Sequence, residues 1–208
     1  EILFANVLPD VLEALGPEGR LTIAVEPRLV AYFQRSFPQA HVGPHAVYQT
    51  DRGKVWTLPF VQDFSAFDLW APMASLMRRF RRSLVDFPGR KGFMTPDPER
   101  VAHWRRVLDE QAPPGPRIGL LWKSAIKDGA RHRFFSPFAE WAAVLKSDGA
   151  CFVNLQYGDC SAELAQARRD SGVEIWNPPG VDLKQDLDDV AALSAAMDLV
   201  IGFSNATF

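Results

Sequence analysis

The chain has 208 residues, 47% hydrophobic, 12% aromatic and 23% charged, a soluble-globular composition that excludes a disordered, collagen-like or coiled-coil chain. Its 23 Lys and Arg against 25 Asp and Glu give a formal net charge of -2, so the overall balance draws it neither to nucleic acid nor to an anionic membrane. No apolar run reaches the roughly 18 residues of a membrane span and no basic-then-apolar leader opens the sequence, which therefore reads as cytoplasmic.

Ile2, Leu3, Val7, Leu8, Val11, Leu12 and Leu15 recur at helical spacing, so residues 1–15 are expected to form a helix that Pro9 kinks or restarts. Gly16 to Arg20 is a turn, Leu21 to Val25 a short buried strand, and Pro27 opens a helix over Arg28 to Ser36. A second short apolar stretch closes at Val42. Residues 44–70 look irregular and aromatic-rich. A helix over 71–82 ends in the basic cluster Arg78, Arg79, Arg81 and Arg82, and Asp97-Pro98 caps another that aligns Val101, Trp104 and Leu108.

Pro113-Pro114-Gly115-Pro116 reads as a linker between residues 1–113 and 117–208. Beyond it strand and helix alternate. Arg117 to Trp122 is a strand, Ser136-Pro137 starts a helix carrying Phe138, Trp141 and Leu145, and Cys151 to Leu155 is the next strand. A helix over 161–171, a strand over 173–176, an Ala-rich helix over 188–197 and a strand over 199–202 follow. This order predicts doubly wound parallel sheets, with ligands bound beyond the strands' carboxyl ends. Cys151 and Cys160 have neither disulfide-framework nor zinc spacing and read as reduced thiols; the four His are scattered, and no metal motif is present.

Three loops at strand ends could carry chemistry. The loop after Trp122 holds Lys123, Lys127, Arg131 and Arg133 against Asp128, and runs toward a helix start whose free N–H groups also favour anions. Its alternative is a solvated basic surface. Gln156-Tyr157-Gly158 is a tight turn where glycine admits a close ligand. Ser204, Asn205, Ala206 and Thr207 follow the last strand, where they serve either as a helix cap or as a phosphate cradle. No GxxxxGK[ST] or GxGxxG occurs, which argues against a P-loop ATPase and a nicotinamide-dependent oxidoreductase.

The runs Arg117 to Lys123, Arg131 to Pro137, Phe152 to Gly158, Asp186 to Ala191 and Asp198 to Thr207 resemble the carboxyl-terminal half of GT-B glycosyltransferases. They are most similar to the heptosyltransferase-like group, glycosyltransferase family 9, and especially to the bacterial members in which this domain follows tetratricopeptide repeats. Glu1 to Asn6, Phe67 to Leu76 and Pro96 to Val101 extend the likeness into the first half. The resemblance implies an α/β fold of two Rossmann-like domains facing across a cleft, incomplete at both ends here. It further implies inverting transfer of a sugar from a nucleotide-diphosphate donor to a protein or surface-glycan acceptor, with no cofactor, metal, nucleic-acid partner or membrane span. Donor binding falls to Lys123, Arg131, Arg133, Gln156, Gly158, Ser204, Asn205, Ala206 and Thr207. The base implied, an Asp of a Gly-Asp pair, falls just before Glu1, so no residue of the chain is assigned as catalytic. The alternative is a non-catalytic domain of the same fold that binds a nucleotide or a protein.

Overall fold

A computed structural model describes residues 1–89, 92–123 and 136–202. The chain divides into two compact units, Glu1–Thr95 and Pro96–Phe208.

In the first unit a 3-10 helix, Ile2–Val7, leads into helix α1, Leu8–Leu15. Pro9 lies in the first turn of α1, where its missing N–H is no loss, so it restarts the helix there. Strand β1, Thr22–Val25, is followed by a 3-10 turn at Pro27–Leu29 and helix α2, Val30–Ser36. Strand β2, His41–Pro44, pairs parallel with β1, Ile23 opposite Val42. The region expected to be irregular contains an antiparallel hairpin, β3 (Ala46–Thr50) and β4 (Gly53–Thr57), joined through Asp51-Arg52. Gly53 has φ 117°, a conformation that side-chain-bearing residues rarely adopt. Helix α3, Met73–Phe80, is shorter than expected.

One member of the basic cluster is internal. Arg81 donates to the Asn6 side-chain and backbone oxygens, to the Phe80 carbonyl and to the Asp10 carboxylate, and its guanidinium lies 5.6 Å from the Phe87 ring centroid. It ties the segment after α3 to the amino-terminal helices.

The second unit opens with helix α4, Pro98–Gln111, whose cap Asp97 accepts from the Glu99 and Arg100 amides. Because α4 packs against the last helix of this unit, the compact units part at Thr95 rather than at the Pro-rich run. Strand β5 is Arg117–Leu121. A 3-10 turn at Phe138–Trp141 feeds the single-turn helix α5, Ala142–Leu145, with Pro137 at the cap position and no side-chain cap bond. Strand β6 (Cys151–Asn154), helices α6 (Ser161–Ser171) and α7 (Leu187–Ala195), and strand β7 (Leu199–Gly202) complete the unit. The strands are parallel in the order β6-β5-β7.

Side-chain alternation along the strands divides the core. Cys151, Val153 and Leu155 pack with Trp104, Leu108 and Leu193 of α4 and α7. Leu120, Trp122 and Phe152 face the other way, onto Trp141, Leu145, Cys160 and Ala167. Each large apolar side chain buried in this way contributes about 1.5–3 kcal/mol. Both cysteines are free and buried, and burial pushes both thiols up.

The expected architecture is overturned. Among the described residues the sheets have two, two and three strands, too small for two Rossmann-like domains of a GT-B fold, each of which needs a larger parallel sheet. The strand expected over 173–176 is reduced to a single bridge between Val153 and Trp176. No described helix is long and apolar enough to cross a membrane.

Candidate functional site

The three parallel strands of the second unit aim their carboxyl ends at one edge, and two side chains organise it. Gln156 follows β6 and is buried. Its Oε1 accepts from the Trp122 amide at 3.1 Å and the Lys123 amide at 2.8 Å, while its Nε2 donates to the Tyr157 carbonyl at 2.8 Å. One side chain therefore satisfies the two amides that β5 leaves open as it ends. Asn154 acts one step earlier: its Oδ1 accepts from the Gln156 amide at 2.9 Å and its Nδ2 donates to Asn177 Oδ1 at 2.7 Å. The ends of β5, β6 and the Trp176 segment are thus joined by side-chain amides.

Lys123 lies at this edge, with its ammonium already engaged. Its Nζ donates to the Asp159 carbonyl at 2.9 Å and forms an ion pair with Glu163 in the first turn of α6. Burial raises the Glu163 carboxyl, but the Lys123 hydrogen bond and charge outweigh it and leave the group below its ordinary value. The helix start is fixed a second time by Asp159, which accepts from the Ser161 amide and hydroxyl.

Next to this scaffold lies an open groove of about 510 Å³. One wall is Gln156, Tyr157 and Gly158; the other is Gly180, Val181, Asp182, Leu183 and Lys184. Both walls turn on glycines in the left-handed region, Gly158 at φ 80° and Gly180 at φ 73°. A Cβ at either would meet open space, so backbone conformation is what calls for glycine. Asp182 sets the second wall by accepting from the Lys184 and Gln185 amides, which hold its carboxyl below the ordinary value. Asp186 then caps α7 through the Asp189 amide and pairs with Arg100 of α4 at 2.9 Å.

The structure therefore brings Lys123, Gln156 and Gly158 together at the carboxyl edge, Gln156 as scaffold and Gly158 as groove wall. Arg131, Arg133, Ser204, Asn205, Ala206 and Thr207 lie outside the described residues. The Gly180 to Lys184 wall was not anticipated from sequence; the available signal was the Pro178-Pro179-Gly180 turn following a strand-like run. Among the described residues no three His, Cys, Asp or Glu side chains converge to hold a metal ion.

No family model and no solved structure matches the chain. Over 207 residues, all but one of its length, it is 51% identical to Protein FlbA of Caulobacter vibrioides, and the match covers 35% of that protein. The chain thus spans about a third of the length of this relative and is similar to one segment of it.

Proposed function

We propose that the groove of the second unit receives the nucleotide end of a sugar nucleotide, and that the protein takes part in inverting, metal-independent glycosyl transfer to a protein or surface-glycan acceptor. The observation that carries this reading is the groove's position at the carboxyl edge of a parallel sheet, where open α/β sheets bind their ligands. Glycine on both walls lets a ligand approach the backbone closely, and Asp182 and Lys184 give the lining one charge of each sign. Lys123 enters this reading as the clamp that holds the Asp159 to Glu163 segment in place, because Glu163 already occupies it. The resemblance to family 9 sequences supplies the reaction class.

Incubation with UDP-, GDP- and dTDP-sugars, with release of the nucleoside diphosphate as readout, tests the proposal. Turnover that depends on an added acceptor supports transfer. Saturable binding without turnover favours a nucleotide-binding module, and neither binding nor turnover rejects the reading.

A further inference from the structure

Among the described residues no third strand pairs with the hairpin of β3 and β4. Its ladder runs without a bulge from Ala46 opposite Thr57 to Thr50 opposite Gly53. Residues directly opposite share a face, so Val47 and Trp56 lie on one face and Tyr48 and Val55 on the other. All four are exposed, by 42%, 60%, 56% and 45% respectively. A two-stranded ribbon is marginal in water on its own, and this one shows water an apolar pair on each face. Its base is fixed. Trp56 meets the His45 ring edge to face, with centroids 4.6 Å apart, and His45 Nε2 lies 2.8 Å from a Glu1 carboxylate oxygen.

The two edges of the ribbon differ in what protects them. An open edge is normally blunted by a charge, a proline or a bulge. β4 carries Lys54, whereas β3, Ala-Val-Tyr-Gln-Thr, has no charged residue, no proline and no bulge. β3 is therefore the edge open to another strand, and it is its own complement. A two-fold antiparallel contact centred on Tyr48 pairs all five of its residues with those of a second copy: Ala46 meets Thr50, Val47 meets Gln49, and Tyr48 meets its counterpart. No charges oppose one another in this register. One face then carries an unbroken apolar row across four strands, Val55 and Tyr48 of one copy followed by Tyr48 and Val55 of the other. The two Lys54 ammoniums stand on the outer strands, three strand spacings or roughly 14 Å apart at the least. A contact of β4 on β4 would instead set those like charges on adjacent strands, which is unfavourable. With β3 on β3 both new outer edges are β4, each protected by its lysine, so the sheet closes at two copies.

We propose that β3 pairs antiparallel with β3 of a second copy of this chain, about a two-fold axis at Tyr48, to form a four-stranded sheet. Two five-residue strands make a small interface, so the dimer exchanges with monomer.

Sedimentation velocity on the intact protein, from roughly micromolar to millimolar concentration, tests the contact. A reversible monomer–dimer equilibrium is expected. Tyr48→Asp sets two carboxylates directly opposite each other and should weaken the dimer roughly tenfold or more. Lys54→Glu, which keeps a charge on the outer edge, should leave it unchanged. Oxidative cross-linking reads the register. Tyr48→Cys should give a disulfide-linked dimer, because directly opposite residues hold their Cβ atoms about 4.5–5.5 Å apart, and Val55→Cys, roughly 14 Å from its counterpart, should not. The native Cys151 and Cys160 are buried. Thermal melts identify a variant that fails to fold, and Tyr48→Lys, which also sets like charges opposite, then takes the place of Tyr48→Asp. A chain that stays monomeric over the whole range overturns the proposal. So does a dimer that Tyr48→Asp leaves intact, or one that cross-links through Val55→Cys and not through Tyr48→Cys, since either result puts the contact on another surface.

Discussion

Arg81 Nη2 donates to Asp10 Oδ2 at 2.6 Å, and only 2% of the arginine side chain is exposed. A guanidinium so enclosed is held by its partners, and removing it takes away its bonds to Asn6, the Phe80 carbonyl and Asp10 together. Arg81→Ala should therefore destabilise the first unit by about 3 kcal/mol or more, whereas Arg82→Ala, at an exposed neighbour, should fall within about 0.5 kcal/mol of wild type. Urea denaturation of the two variants checks the contrast.

Gln156 satisfies two strand-end amides through one oxygen. Gln156→Leu keeps much of the volume but leaves both amides unpaired, at about 1–3 kcal/mol each. The expected outcome is a loss of about 2–6 kcal/mol in stability, together with weaker binding of any ligand in the groove that Gln156 helps to line. Gln156→Glu keeps an accepting oxygen for the two amides but buries a carboxylate and sets its second oxygen against the Tyr157 carbonyl, so at neutral pH its loss should be at least as large. Thermal unfolding of both variants checks the two losses.

Gly43 leaves no room for a side chain. A Cβ there would sit 2.3 Å from the Phe60 ring, inside van der Waals contact. Gly43→Ala should therefore destabilise by about 1–3 kcal/mol through overpacking. Phe60→Ala in the same chain removes the obstructing ring, so the double variant should lose less than the sum of the singles, a coupling that a double-mutant cycle measures.

Acid sensitivity has a defined source in the second unit. Burial raises the Asp186 carboxyl, while the Arg100 hydrogen bond, the Asp189 amide and the Arg100 charge outweigh it, so the group titrates below its ordinary value in the folded chain. A carboxylate with a depressed folded pKa stabilises the fold above its unfolded pKa, and that stabilisation is lost as pH falls from about 4 downward. Arg100→Met should weaken this acid-labile component, flattening the fall of the urea midpoint below about pH 4 relative to wild type. An equally steep fall in the variant would assign the acid sensitivity to other groups, such as Glu163.

Local pattern was legible and long-range pairing was not. The runs Arg117–Leu121 and Cys151–Asn154 are apolar, bounded by turns, and form buried strands, while Asp97-Pro98 is a cap that can be read directly. Pro9 left open a kink or a restart, and the structure shows the restart, with α1 beginning at Leu8 and Pro9 in its first turn. The hairpin over Ala46–Thr57 escaped notice because its strand residues are largely exposed, so no buried face imposes an alternation. Arg81 sat unmarked among three other arginines, and its role depends on Asp10, 71 residues earlier in the chain. The Glu1–His45 pair bridges 44 residues and leaves no trace in spacing. Residues 173–176 have strand-like composition, yet only Trp176 bridges to the sheet. At the candidate site the turn Gln156 to Gly158 could be located from the end of its strand, whereas its opposite wall comes from a segment that only tertiary structure brings near.

The groove is the centre of the account, and backbone amide NMR during titration with UDP-glucose, GDP-mannose and dTDP-glucose addresses it most directly. For at least one of these, saturable shifts should concentrate at Tyr157, Gly158 and residues Gly180 to Lys184, and the corresponding nucleoside diphosphate should reproduce most of them. Shifts that never saturate, or that gather away from these two walls, would contradict the assignment of this edge as the nucleotide site.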